Sequence, residues 1–167
     1  IENKKCYKAE DLIQNNFIPT VSVLHKKELI HKIIANENYR KAEYGDWLLS
    51  YFVALYGKVY YLNEITAVRR VHKHGHMAGS NSFDVLNTRI NTLNIFRNVT
   101  RKNELIKKID IQLASFRHRR FDILLGNGIY RLAFKDFWNT LLTNNIKHAG
   151  FYSSVKNHVI NKIKSLI

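Results

Sequence analysis

The sequence predicts an α/β fold, in which a few strands of a mixed sheet alternate with helices over residues 1–81 and a helical extension occupies residues 82–167. Three observations predict it. Residues 17–24 (Phe-Ile-Pro-Thr-Val-Ser-Val-Leu) form a β-branched, apolar run of strand length, and residues 59–62 and 65–71 form two more, parted by Asn63-Glu64. Between the first run and the other two, apolar residues recur at helical spacing. Beyond residue 82 that helical spacing is the only periodicity left.

Taken in order, Pro19 sits near the start of the first strand, where a missing N–H is tolerated. Leu29, Ile30, Ile33 and Ile34 then place a helix over Lys26–Ala35. Residues 36–44 are polar and loop-like. Gly45-Asp46 opens the next helix, with Asp46 as N-cap or first-turn acid. Leu48, Leu49, Phe52, Val53 and Leu55 make it apolar around most of its circumference, which predicts burial, and Gly57 ends it. Residues 73–82 are polar with two glycines and predict a flexible loop. Leu86, Ile90, Leu93 and Phe96 then mark one helix face, and Ile109, Leu113 and Phe116 another. Gly126-Asn127-Gly128 interrupts the pattern before two further amphipathic segments, Tyr130–Leu142 and Val155–Leu166.

At 167 residues, 46% hydrophobic, the chain has the length and composition of one folded domain. Cys6 is the only cysteine, so no internal disulfide can form and nothing argues for an oxidising compartment. The first thirty residues are too polar for a signal peptide. No apolar run approaches the roughly 20 residues needed to span a bilayer, so a cytoplasmic location is expected. The formal charge of +14 is uneven: residues 1–60 carry 9 basic and 7 acidic groups, residues 61–120 carry 12 and 4, and residues 121–167 carry 6 and 2. Such a balance favours an anionic partner, whether phosphates of a small ligand, a lipid surface or a nucleic acid.

Four sequence pieces in fixed order carry more than any of them alone: Asn16-Phe17-Ile18-Pro19-Thr20-Val21-Ser22-Val23, Gly45-Asp46-Trp47, Tyr56-Gly57-Lys58 and Tyr61-Leu62-Asn63-Glu64 running on to Arg70-Val71-His72. Together they resemble the acceptor-side, C-terminal half of bacterial inverting glycosyltransferases with a GT-A-type (nucleotide-diphospho-sugar transferase) fold. The match spans residues 16–79. The resemblance implies transfer of a sugar, with inversion, from a nucleotide-diphosphate donor to a glycan or lipid-linked hydroxyl, as in cell-surface polysaccharide synthesis. It also implies a divalent cation, Mn2+ or Mg2+, whose main carboxylate ligands belong to a donor-binding half with an Asp-x-Asp motif. This sequence has no such motif and opens on Ile1, which suggests a fragment inactive by itself.

By that resemblance Asp46 is the general base, a role worth ~10²–10⁴ in rate; taken alone it reads as a helix cap. His72 would complete the metal site, Arg70 would contact the donor diphosphate, and Lys73, His74 and His76 would be transient phosphate contacts in a closing loop. The alternation of His72, His74 and His76 is also compatible with a zinc site. Arg69 stands where the family has Tyr, which leaves its direction open. Thr20 and Ser22 match the strand lining the sugar site, and Trp47 is either a packing residue or a sugar platform. Arg117-His118-Arg119-Arg120 reads equally as a solvated helix end or an interaction surface. Val155, Val159, Ile163 and Leu166 form an apolar stripe beside Lys156, Lys162 and Lys164. That stripe suits either packing on the preceding helices or peripheral contact with the inner face of an anionic membrane. The alternative to an enzyme is a non-catalytic basic helical module that binds nucleic acid or protein. Nucleic acid is the less expected partner, since aromatics interleaved with basic residues on a strand surface are not evident.

Overall fold

A computed structural model describes residues 6–40, 45–68, 81–142, 156–158 and 160–161. Its architecture overturns the α/β expectation. Six α-helices carry the fold among the described residues: α1 (Lys27–Ile34), α2 (Glu37–Arg40), α3 (Gly45–Tyr56), α4 (Ser82–Val99), α5 (Asn103–Gly126) and α6 (Tyr130–Leu142). The sheet among them is a single antiparallel pair, β1 (Cys6–Tyr7) with β2 (Val59–Tyr60), in which Cys6 faces Tyr60 and Tyr7 faces Val59.

The first expected strand is absent and the second is cut to two residues, for a shared reason. A β-branched run becomes a strand only where a neighbouring backbone completes its ladder and one face is covered. Residues 17–24 have no paired backbone, and only Phe17 and Ile18 among them pack against the core. Their centre is a 3-10 turn, Thr20–Ser22, closed by the Ser22 amide and hydroxyl, which both donate to the Pro19 carbonyl at 3.0 and 2.9 Å. This is local side-chain competition with extended structure. Val21 and Leu24 are exposed, as is every residue of 61–68, and among the described residues the second and third runs yield only the two residues of β2, residues 69–71 of the third lying outside them.

The helical periodicity is realised in one core. Leu12 and Ile13, Trp47, Leu48, Tyr51 and Phe52 of α3, Leu86, Ile90, Leu93 and Phe96 of α4, and Ile109, Leu113 and Phe116 of α5 pack together. The core therefore runs across residue 81, joining the segment before it to the helices after it. At its centre the Tyr51 and Phe96 rings stack, centroids 3.7 Å apart and 7° from parallel, while Trp47 meets Phe96 edge-on at 5.3 Å. Such pairs add ~0.5–1.5 kcal/mol each beyond the area they bury. Thr100 donates its single hydroxyl hydrogen to the Phe96 carbonyl at 2.6 Å, so the 2.6 Å bond between Thr100 and Tyr51 has the Tyr51 hydroxyl as donor. Burial pushes the Tyr51 pKa up.

Asn81 caps α4, its side chain accepting from the Asp84 amide at 2.8 Å. Between α5 and α6 the Gly128 amide donates to the Leu125 carbonyl and the Ile129 amide to the Leu124 carbonyl. This closure requires a left-handed residue, and Gly128 supplies it at φ 73°. The basic run Arg117–Arg120 lies within α5, and its two outer arginines turn inward. Arg117, 8% exposed, reaches the Asn139 carbonyl and the Asn94 side chain, both at 3.4 Å. Arg120 grips Asp136 of α6 with two parallel bonds, one of them 2.7 Å, and donates to Asn87 of α4 at 2.6 Å. This cluster joins the three long helices.

Candidate functional site

Two of the sequence pieces converge on one carboxylate. Asp46 stands exposed in the first turn of α3, and its Oδ2 accepts from the Asn16 amide at 3.3 Å and from the Thr20 hydroxyl at 3.4 Å. Its Oδ1 accepts from the Trp47 backbone amide at 2.7 Å. Asn16 is itself held by a short turn, its side-chain oxygen taking the Ile18 amide at 3.3 Å. Residues 26 and 30 positions away from Asp46 thus meet it at the protein surface.

The neighbour in sequence does the opposite. Trp47 is 7% exposed, and its indole N–H donates to the Leu12 carbonyl at 2.7 Å inside the core. Its ring is spent on packing, with little surface left beside Asp46 for a sugar. Ser50 donates to the Asp46 carbonyl at 3.0 Å, which tightens the same turn. Tyr39 of α2 lies against the helix start: a Cβ added at Gly45 would come within 2.9 Å of the Tyr39 hydroxyl. Only glycine lets that ring approach the turn so closely.

Of the expected site residues the structure therefore unites Thr20 with Asp46. Ser22 is exposed and bonded back to Pro19, not to Asp46. Arg70, His72, His74 and His76, with Arg69 and Lys73, lie outside the described residues, as do Val155, Val159, Ile163 and Leu166 of the tail stripe. Among the described residues no three His, Cys, Asp or Glu side chains gather closely enough to hold a metal. No described helix is long and apolar enough to cross a membrane. Sequence reasoning missed Asn16 and Tyr39 as members of the site. Asn16 opens the Asn-Phe-Ile-Pro-Thr piece and was legible as part of it, whereas nothing marks Tyr39 in a polar stretch.

Chemically, a carboxylate offers about four acceptor positions. Among the described residues three are occupied, by Trp47, Asn16 and Thr20, which leaves one for a hydroxyl hydrogen from outside. The bonds from Asn16 and Thr20 are long, so both side chains can shift towards an incoming oxygen. Comparisons with protein-family models, with curated proteins and with solved structures give no match.

Proposed function

We propose that this chain supplies the acceptor side of an inverting sugar transfer from a nucleotide-diphosphate donor to a glycan or lipid-linked hydroxyl, with Asp46 as general base. The observation that carries the reading is the convergence of Asn16 and Thr20 on an exposed Asp46. In this mechanism Asp46 accepts the proton of the acceptor hydroxyl as its oxygen attacks the anomeric carbon. The bond from that carbon to the diphosphate breaks on the opposite side, which inverts the centre. Asn16 and Thr20 hold the carboxylate and offer hydrogen bonds to the sugar's oxygens. The donor, and a divalent cation with it, would be held by Arg70, His72, His74 and His76 together with a carboxylate pair that the sequence lacks.

The test uses the chain joined to a donor-binding half. Asp46→Asn keeps the shape of the side chain but cannot take a proton, so turnover should fall by ~10²-fold or more while donor affinity holds. Turnover above about a tenth of wild type removes Asp46 from the base role. A second reading, a non-catalytic helical module for nucleic acid or protein, draws support from the helical architecture of residues 82–142. Salt-dependent nucleic-acid binding that is indifferent to Asp46→Asn would favour it.

A further inference from the structure

Helix α6 carries apolar residues on two sides. Inward, Ala133, with the half-buried Leu132 and Phe137, packs on Phe121, Leu124 and Leu125 of α5 beside the fully buried Asp136 and Thr140. Its outward side carries Phe134 (46% exposed), Trp138 (58%) and Leu142 (75%), spaced one turn apart, while Tyr130 at the N-terminal end meets the ring of His158 edge-on at 6.0 Å. Arg131 and Lys135 stand exposed beside the row. The only acid of the helix, Asp136, is held by Arg120 and is absent from the outer face. An amphipathic helix in a globular chain normally buries its apolar side. Here that side is filled and a second apolar row is left facing outward.

We infer that the outer face of α6 docks on an anionic phospholipid bilayer, lying in the interface plane. Trp and Tyr suit the boundary between headgroup and acyl chain, and the flanking Arg131 and Lys135 match anionic headgroups. With 13 residues, about 20 Å long, the helix can lie on a membrane but not span one. Charge disfavours the other occupants. A second copy seated on the same face would set Arg131 and Lys135 against their own kind. Residues 143–167, which follow the helix, offer no counter-charge either, since they contain Lys147, Lys156, Lys162 and Lys164 and no acid. The inference stands apart from the sugar-transfer reading, because it uses no residue near Asp46.

The test is co-sedimentation of the full chain with phosphatidylcholine vesicles, with and without phosphatidylglycerol, alongside tryptophan emission. Trp47 is buried, so Trp138 is the tryptophan able to respond. Binding to the anionic vesicles alone, with a blue shift in emission, is expected. Phe134→Ser with Leu142→Ser should abolish the shift, and Arg131→Glu with Lys135→Glu should weaken binding by roughly 25-fold or more, at about fivefold for each cation lost near the surface. Both pairs are exposed, and unchanged far-ultraviolet circular dichroism confirms that the variants fold. Equal binding by wild type and both double variants, or no binding by wild type, overturns the inference. So does a concentration-dependent dimer in sedimentation velocity that Phe134→Ser with Leu142→Ser dissolves while vesicle binding stays unchanged, since the face would then belong to a second copy.

Discussion

Replacing Asp136 by Ala should be among the most destabilising single changes in the chain. The Asp136 side chain is 1% exposed and that of Arg120 is 15%, so solvent does little to screen either. Asp136 accepts two of the three bonds that Arg120 makes among the described residues, the third going to Asn87. Hydrogen bonds to charged groups contribute ~1.5–3 kcal/mol each, and breaking one side of a buried ion pair costs ~3–5 kcal/mol because the remaining charge is stranded. Arg117 adds to the strain: burial is the main force lowering its pKa, and Asp136 is the principal charge opposing that shift. A loss of ~3–5 kcal/mol in urea denaturation is therefore expected, or a fall in Tm of roughly 6–20 °C for a chain of this size. Arg120→Met combined with Asp136→Ala removes the stranded cation and should recover a large part of the loss. The reasoning fails if Asp136→Ala costs under about 1 kcal/mol, or if the double variant is no more stable than the single one.

Phe96→Ala removes the ring on which both Tyr51 and Trp47 pack, and should cost ~3–5 kcal/mol in the same denaturation assay. Tyr51→Phe removes only a hydroxyl donor, since Thr100 keeps its bond to Phe96, and should cost ~1 kcal/mol. The Glu10–Lys108 pair, 2.7 Å apart, lowers the pKa of Glu10 and raises that of Lys108, chiefly through their mutual hydrogen bond. A depressed carboxylate stabilises above its unfolded pKa, about 4.3, and loses that contribution as pH falls through its folded value. A raised ammonium stabilises below about 10.4 and loses its contribution as pH rises through the folded value. The small stability gap between wild type and Glu10→Gln should thus be widest between those limits and close at both extremes, as followed by thermal melts across pH.

The helices were legible because burial repeats along them with the period of the backbone. Leu86, Ile90, Leu93 and Phe96 of α4 and Ile109, Leu113 and Phe116 of α5 all enter the core, and Tyr130–Leu142 is the span of α6. The strands were not legible in the same sense. Whether Val21, Ile65 or Val68 joins a sheet depends on a partner strand, and that information lies outside the local run. The direction of α6 was hidden for a similar reason. Its pattern announces two faces, but Arg120, sixteen residues earlier, and the apolar cluster of Phe121, Leu124 and Leu125 decide which one turns inward. At the candidate site, Asp46 and Thr20 could be named in advance through resemblance, whereas the contact of Tyr39 with Gly45 is a product of tertiary packing.

Asp46 and Trp47 are adjacent, yet one side chain is anchored in the interior and the other stands in solvent. The bond from the Trp47 indole to Leu12, together with the ring against Phe96, fixes the backbone from which the carboxylate projects. The amides of residues 49–52, which donate to the carbonyls of that first turn, should consequently exchange at the slow rate of the globular core rather than that of a fraying helix end. The ordering entropy of placing the carboxylate is then met when the chain folds, and little of it remains to be lost when a ligand arrives. A loosened Trp47 would act on the surface group at a distance, lowering its effective molarity without altering its chemical identity.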